Sequence, residues 1–141
     1  MVELMTTVKD VMTRSVVSVP CRAVIDVAID LMVSQNISGV PVVDAEGRLA
    51  GIISEYDVLR LCGQREAEYQ PFEPCERYMT ADVRTIQQDA SLDAAAKIFQ
   101  AASLRRLLVL DGDKLVGILS RRDVVRCIRE QRSAFHEALR Q

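Results

Sequence analysis

Two segments of this chain place a serine three residues before an aspartate, directly after a short apolar run. They are Ser54-Glu55-Tyr56-Asp57 and Ser120-Arg121-Arg122-Asp123. At a helix start such a pair forms a capping box, in which serine and carboxylate oxygens accept from free backbone N–H groups. The same N–H groups and the helix dipole favour phosphate, and a carboxylate can accept hydrogen bonds from a ribose. The spacing therefore fits helix capping, and it also fits binding of a phosphorylated nucleoside.

Both segments belong to an internal repeat. Residues 51–58 (GIISEYDV) return 66 residues later as residues 117–124 (GILSRRDV). Upstream, Met12-Thr13 returns 67 residues later as Met79-Thr80, so the second copy lacks one residue between Asp111 and Gly117. The composition there predicts a tight turn, and turns absorb length changes at little cost. The chain is therefore two copies of one unit, with two equivalent candidate sites.

Composition excludes several classes of protein. With 141 residues, 49% of them hydrophobic, the chain can bury one good core, whereas a single copy of about 60 residues would be marginal. A net charge of −2 gives no bias towards nucleic acid or an anionic membrane. We find no signal peptide and no membrane-length apolar run, and the four scattered cysteines favour free thiols. We expect a cytoplasmic protein with no membrane or nucleic-acid partner.

Each copy has the pattern strand, helix, strand, strand, helix. In copy one these are residues 16–19, 24–32, 40–43, 49–53 and 55–61. In copy two they are 83–86, 92–100 with Ser91 as N-cap, 107–110, 114–119 and a last helix from Ser120 to near Leu139. The predicted domains are residues 8–62 and 75–130, joined by a linker at 63–74 and followed by a helical extension at 131–141.

No constellation for catalysis or metal binding is visible in the sequence. His136 is the only histidine, and we expect it on the surface of the last helix. There is no histidine–nucleophile pairing, no Gly-rich phosphate loop and no zinc-ligand spacing. Asp57 and Asp123 fall in equivalent halves, so they mark two sites and not one acid/base pair. We expect no catalytic residues and no metal ligands.

The repeated motifs together resemble a tandem pair of CBS (cystathionine-β-synthase) domains. The resemblance covers about residues 8–130. It rests on Val11-Met12-Thr13 and Tyr78-Met79-Thr80, on residues 39–44 (GVPVVD), and on the two Gly-x-x-Ser-x-x-Asp segments. It implies an α/β (mixed α+β) fold, with two β-α-β-β-α units packed sheet to sheet with pseudo-twofold symmetry. It also implies homodimers, and adenosine ligands (AMP, ADP, ATP, sometimes NAD or S-adenosylmethionine) in clefts between the units.

The resemblance assigns roles to matching residues of this chain. Asp57 and Asp123 match the ribose-binding aspartate, and Ser54 and Ser120 match the hydroxyl that touches ribose or phosphate. The residues before the second strand of each copy face the phosphates, which implies Ser38-Gly39 and Arg105-Arg106. The adenine pocket is implied at the first and second strands of each copy: Ser18, Val40, Pro41, Val42, Thr85, Leu107, Leu108 and Val109. Leu108 departs from the family pattern, which has proline there as at Pro41.

The two implied sites differ in charge. Copy two offers Arg105, Arg106, Arg121 and Arg122 to a phosphate, whereas copy one has Glu55 and Tyr56 between its serine and aspartate. We therefore expect charged nucleotide to bind more tightly around Asp123. The site around Asp57 is expected to be empty or to prefer a less charged ligand. The alternative interpretation of the arginines is a solvated helix start and loop.

The sequence thus favours a regulatory module that senses an adenine nucleotide and signals to an unknown effector protein. A second hypothesis is a ligand-free oligomerisation or protein-interaction module, with a dimer surface on the last helix at Val124, Val125, Ile128, Phe135 and Leu139. A third is an enzyme. Some family members sit inside enzymes such as inosine-monophosphate dehydrogenase, but those carry separate catalytic domains.

Overall fold

The order of strands and helices repeats along the chain, as the sequence predicts. A computed structural model describes residues 6–62 and 72–140. The first half contains α1 (Val8–Val11), β1 (Val19–Pro20), α2 (Ile25–Ser34), β2 (Gly39–Val43), β3 (Leu49–Ser54) and α3 (Glu55–Leu59). A 3-10 turn at Cys75–Arg77 precedes β4 (Thr85–Gln87), α4 (Leu92–Ala101), β5 (Arg106–Asp111), β6 (Lys114–Ser120) and α5 (Arg121–Leu139). The mixed α+β fold of two β-α-β-β-α units is confirmed, while residues 63–71 of the predicted linker lie outside the described residues.

Each copy forms a three-stranded sheet of the same topology, β1-β2-β3 and β4-β5-β6. The first pair of strands is parallel in both sheets, with Val19 opposite Val42 and Thr85 opposite Leu108. A parallel pair needs a crossover connection, and α2 and α4 supply it. The second pair in copy one is antiparallel, because a short turn at residues 44–48 joins β2 to β3.

The first strand of each copy was placed too early by the sequence prediction. In copy one, residues 16–18 lie outside the strand and Pro20 lies within it, so Ser18 precedes β1. In copy two the strand begins at Thr85 instead of Val83. Residues 16–18 are half-buried and include two valines. Such residues favour half-buried positions as well as paired strands, so their presence alone does not show where a strand begins. Pro20 is tolerated because β1 is an edge strand of its sheet.

The chain divides into two compact units that do not simply follow the sequence order. We call residues 17–83 with 113–115 the copy-one unit, and residues 6–16, 84–112 and 116–140 the copy-two unit. Each unit has its own apolar core. The copy-one core contains Val19, Ile25, Ala28, Met32, Val40, Val42, Ile53 and Cys75. The copy-two core contains Val8, Met12, Ile86, Leu92, Ala95, Leu107, Val109, Leu119, Val124 and Cys127.

The segment leading into each copy packs on the unit of the other copy. Residues 7–13, the first lead-in segment, form an antiparallel bridge with β6 between Thr13 and Ile118, with both N···O distances 2.9 Å. Residues 75–80, the second lead-in segment, bridge β3 between Thr80 and Ile52, again with both distances at 2.9 Å. The predicted domain limits follow the order of the sequence, whereas the compact units exchange these two segments.

This exchange explains why a glycine and a Met-Thr pair recur together. A Cβ atom on Gly51 would lie 2.7 Å from the Thr80 carbonyl oxygen and 2.8 Å from the Met79 sulfur. A Cβ atom on Gly117 would lie 2.5 Å from the Met12 sulfur and 3.0 Å from the Thr13 carbonyl oxygen. Each glycine therefore lets a lead-in segment approach its strand, and the two repeated motifs are the two sides of one contact.

The last helix, α5, ends at Leu139 as the sequence predicts. Its apolar residues do not form one exposed surface, because Val124 is buried in the copy-two core and Ile128 packs against that core. Val125 and Leu139 are 63% and 69% exposed, and the side chain of Phe135 is outside the described part of the structure. Within residues 6–62 and 72–140, we find no helix with the length and apolar character needed to cross a membrane.

Candidate functional site

Ser54 and Asp57 form the predicted capping box at the start of α3. The backbone N–H and the hydroxyl of Ser54 donate to Asp57 Oδ2 at 2.8 and 2.9 Å. The N–H of Asp57 donates back to Ser54 Oγ at 3.2 Å. One carboxylate oxygen of Asp57 is therefore committed to holding the helix start.

The second oxygen of Asp57 is also occupied. Its Oδ1 accepts from the guanidinium of Arg60 and, at 3.2 Å, from the hydroxyl of Thr80 on the second lead-in segment. The Asp57 side chain is only 2% exposed. Asp57 thus ties the start of α3 to the lead-in segment, and both of its oxygens are used inside the copy-one unit.

Asp123 repeats the cap but keeps an oxygen more accessible. The N–H of Ser120 donates to Asp123 Oδ2 at 2.8 Å, and the N–H of Asp123 donates to Ser120 Oγ at 3.1 Å. Oδ1 has a long 3.4 Å contact with Arg126, and the side chain is 12% exposed. In the described part of the chain, no hydroxyl bonds to Asp123 as Thr80 does to Asp57. The two equivalent aspartates therefore differ in what a ligand would have to displace.

The structure brings the four predicted arginines of copy two into one cavity. The N–H of Arg121, the first residue of α5, donates to the carbonyl oxygen of Arg105 at 3.0 Å, which places the two residues side by side. The cavity has a volume of about 900 Å³. It is lined by Arg105, Arg106, Ser120, Arg121, Arg122, Val125, Arg126 and Arg129. In copy one the same backbone bond joins Glu55 to Ser38 at 2.9 Å, without arginines at those positions.

The sequence interpretation missed two of the six arginines in this cavity. Arg126 and Arg129 follow Arg122 at spacings of four and three residues, which places all three on one face of α5. That spacing was a signal in the sequence, but the sequence interpretation considered only the arginines next to the expected phosphate position. Arg126 pairs with Asp123, whereas none of the other five forms an ion pair with another described residue. The cavity therefore holds a large uncompensated positive charge.

The residues predicted to pack on adenine lie on both faces of their strands. The side chains of Val40, Val42, Leu107 and Val109 belong to the two apolar cores. Because side chains alternate along a strand, Pro41 and Leu108 point away from those cores, although both are buried. Ser18 and Thr85 are half-buried.

The remaining ionisable groups of residues 6–62 and 72–140 form no second candidate site. Among the residues that the structure describes, no three His, Cys, Asp or Glu side chains gather in a way that could hold a metal ion. The four cysteines are free thiols. Burial raises the pKa of Cys75 to about 11, and its thiol donates to the Val24 carbonyl oxygen at 3.5 Å. Cys75 is therefore a core residue of the copy-one unit.

Comparison with known families settles the membership of the chain. The family model of the CBS domain matches it twice, at residues 8–63 and 75–130. The chain belongs to the CBS-domain family. The two matches correspond to the two copies of the repeat.

Several known proteins are similar over most of this chain. An uncharacterized 17.7 kDa protein from Acidianus ambivalens is 31% identical over 87% of this chain and 73% of its own length. The structure of CBSX2 from Arabidopsis thaliana, in complex with AMP, is 31% identical with a TM-score of 0.74. That match covers 89% of this chain and 98% of the CBSX2 chain.

A further structure is similar in fold and carries related ligands. It is the CBS domain pair of protein MJ0100, in complex with 5-methylthioadenosine and S-adenosyl-L-methionine. It is 25% identical with a TM-score of 0.69, and the match covers 92% of this chain and 99% of the MJ0100 chain. This CBS chain spans only 22% to 54% of the length of other curated relatives.

Proposed function

We propose that this CBS pair is a regulatory module that binds an adenosine-containing nucleotide in the copy-two unit and signals its bound state to a partner protein. The observation that carries the proposal is the cavity lined by Ser120 and six arginines, next to the accessible carboxylate of Asp123. Solved CBS pairs in complex with AMP, and with S-adenosyl-L-methionine and methylthioadenosine, support an adenosine ligand.

Different residues around this cavity are proposed to bind the ribose, the phosphates and the base. Asp123 Oδ1 accepts from the ribose hydroxyls, while Oδ2 stays bonded to the Ser120 N–H and keeps the helix start in place. Ser120, Arg105, Arg106 and Arg122 hold phosphate oxygens, because guanidinium groups donate paired hydrogen bonds to them. Leu108 offers an apolar surface to the base.

Copy one is proposed to bind nucleotide more weakly. A ribose at Asp57 has to displace Arg60 or Thr80 from a carboxylate that is almost fully buried. Pro41 offers the base a surface like that of Leu108, but Glu55 adds negative charge where copy two has Arg121. The copy-one unit therefore serves mainly as structure, or takes a ligand without charge at this position.

Regulation follows from linkage. A ligand that binds one arrangement of the protein better than another shifts the population towards it, and a partner that prefers the same arrangement reads the shift. AMP, ADP, ATP, NAD and S-adenosylmethionine all contain the adenosine group that the proposal requires. We propose no catalytic step, and a cytoplasmic location and a homodimer remain part of the same hypothesis.

Isothermal titration of AMP, ATP and NAD into nucleotide-free protein tests the proposal. We expect binding of at least one of them, and we expect Asp123→Ala to weaken it at least tenfold. Asp82→Ala is the matched control, since Asp82 is an exposed carboxylate in the copy-one unit, outside the cavity. Absence of heat with all three ligands would defeat the proposal. Mass spectrometry of ligand released from freshly purified protein then names the natural ligand.

The second candidate is a ligand-free oligomerisation or protein-interaction module, which would use the separate exposed apolar side chains of α5 and not one continuous surface. Val125 and Leu139 are well exposed on the same helix. A tight homodimer in light scattering, together with no nucleotide binding, would support this second function over the first.

A further inference from the structure

Three arginines form a row along α5 that extends past the helix start. Arg122, Arg126 and Arg129 share one helix face and all line the cavity. The seven residue steps from Arg122 to Arg129 span about 10 Å along the helix axis at 1.5 Å per residue. A single phosphate group held near Ser120 leaves the far end of this row without a partner.

The charge of the cavity also indicates a ligand with more than one phosphate. Six of the eight residues that line it are arginines, and Asp123 is the carboxylate that pairs with one of them. Cations gathered this closely repel one another unless a ligand neutralises them. A phosphomonoester carries only about −1.5 to −2 at pH 7, so one phosphate compensates a minority of these arginines. A chain of phosphates supplies both the charge and the length that the row requires.

We infer that the copy-two site takes a nucleoside carrying a chain of three or more phosphates, with Arg126 and Arg129 binding the phosphates beyond the first. This inference rests on the proposed function, because the nucleoside is held at Asp123. The phosphate chain starts near Ser120 and runs along the row towards Arg129. The row makes Arg129 a specificity-determining residue: it distinguishes ligands by the number of their phosphates and does not affect the binding of the nucleoside.

Equilibrium titration of the full chain tests this inference, with AMP, ADP, ATP and inorganic tripolyphosphate as ligands and no divalent cation present. We expect affinity to rise from AMP to ATP by about tenfold per added phosphate, as charge-assisted hydrogen bonds accumulate. Arg129→Gln lowers the affinity for ATP and tripolyphosphate by about tenfold and leaves the affinity for AMP unchanged. Circular dichroism verifies that the variant is folded, which the exposure of Arg129 favours.

Arg132→Gln is the matched control, because Arg132 is an exposed arginine of the same helix outside the cavity. Equal affinities for AMP and ATP overturn the inference and leave the proposed nucleotide function standing. Equal losses of ATP affinity in Arg129→Gln and Arg132→Gln also overturn it, since they indicate diffuse electrostatic attraction of the ligand to a basic helix. If tripolyphosphate binds but AMP, ADP and ATP do not, the adenosine function is overturned. That result supports phosphate binding by the row of arginines. Absence of all binding overturns both.

Discussion

Asp57 and Asp123 occupy equivalent positions in the repeat, but their carboxylates have different neighbours. Asp57 is enclosed by the cap at Ser54, by Arg60 and by Thr80. Asp123 keeps its cap at Ser120 and has a single long contact with Arg126 on its other oxygen. We therefore propose that the same motif is mainly structural in one copy and binds a ligand in the other.

Replacement of Asp57 by asparagine is expected to destabilise the protein more than the same change at Asp123. The amide nitrogen of asparagine cannot accept a hydrogen bond, so the Ser54 N–H or the Arg60 and Thr80 donors lose their partner. Loss of buried, charge-assisted hydrogen bonds costs about 1–3 kcal/mol. Urea unfolding of Asp57→Asn and Asp123→Asn measures the difference directly. Equal free energies of unfolding would show that the extra bonds of Asp57 contribute nothing.

The four cysteines are expected to differ sharply in reactivity. The thiolate is the reactive form, and burial raises the pKa of Cys75 to about 11, so its thiol stays protonated at neutral pH. Cys62 is exposed. With a thiol reagent at pH 7–8, we expect Cys62 to be modified first and Cys75 only after unfolding, as peptide mass mapping shows. Because the raised pKa suppresses the thiolate until the pH approaches 11, reaction of native Cys75 at pH 8 would contradict its burial.

Among the elements, the lead-in segments depend on glycines in the strands that they meet. Gly51→Ala is expected to destabilise the protein by about 1–3 kcal/mol, because its Cβ meets the Thr80 carbonyl oxygen at 2.7 Å and backbone cannot easily move. Gly39→Ala in the neighbouring strand β2 is the control, since its nearest contact is the end of the Ile52 side chain at 3.1 Å. Thermal unfolding compares the two variants, and a larger loss in Gly39→Ala would contradict the close approach.

The elements also show which features a sequence can predict. The hairpins and the helices capped by Ser54, Ser91 and Ser120 were predicted correctly, because their signals lie within a few neighbouring residues. The first strands were placed too early, since their limits depend on distant partners in β2 and β5. The exchanged lead-in segments depend on non-local pairing in the same way, and no pattern among neighbouring residues predicts that pairing.

For the candidate site, the sequence analysis predicted Ser120 and four arginines, which the structure places around one cavity. It missed Arg126 and Arg129, which lie further along α5 than the Ser-x-x-Asp segment, although Arg60 occupies the position of Arg126 in copy one. The sequence analysis also assigned three consecutive residues of each second strand, 40–42 and 107–109, to the adenine pocket. Only one residue of each three, Pro41 or Leu108, turns away from the apolar cores. Burial of the other side chains depends on packing that a repeat pattern does not reveal.

At the scale of the whole molecule, the two units interleave along the sequence. The copy-one unit includes the second lead-in segment, which follows α3 in the sequence. Cys75 of that segment is part of the copy-one core. A chain cut between the copies therefore separates residues that belong to one core.

Two fragments of similar length test this interleaving. Residues 17–83 include the lead-in segment that packs on β3, whereas residues 1–62 lack it. Both are near the size limit for an independent domain, so small differences in buried apolar surface are expected to decide folding. We expect the 17–83 fragment to show more secondary structure by circular dichroism and better-dispersed amide signals by NMR. Greater order in the 1–62 fragment would contradict the exchange.

The central claim is that nucleotide binds at Asp123 and that Asp57 acts mainly as structure. Titration calorimetry of ATP into wild type, Asp57→Asn and Asp123→Asn tests it most directly. Both variants are expected to stay folded, since a loss of about 1–3 kcal/mol is smaller than the stability of a typical domain. We predict one ATP per chain in the wild type, at least a tenfold weaker affinity in Asp123→Asn and a near wild-type affinity in Asp57→Asn. Loss of binding in Asp57→Asn with retention in Asp123→Asn would contradict the claim.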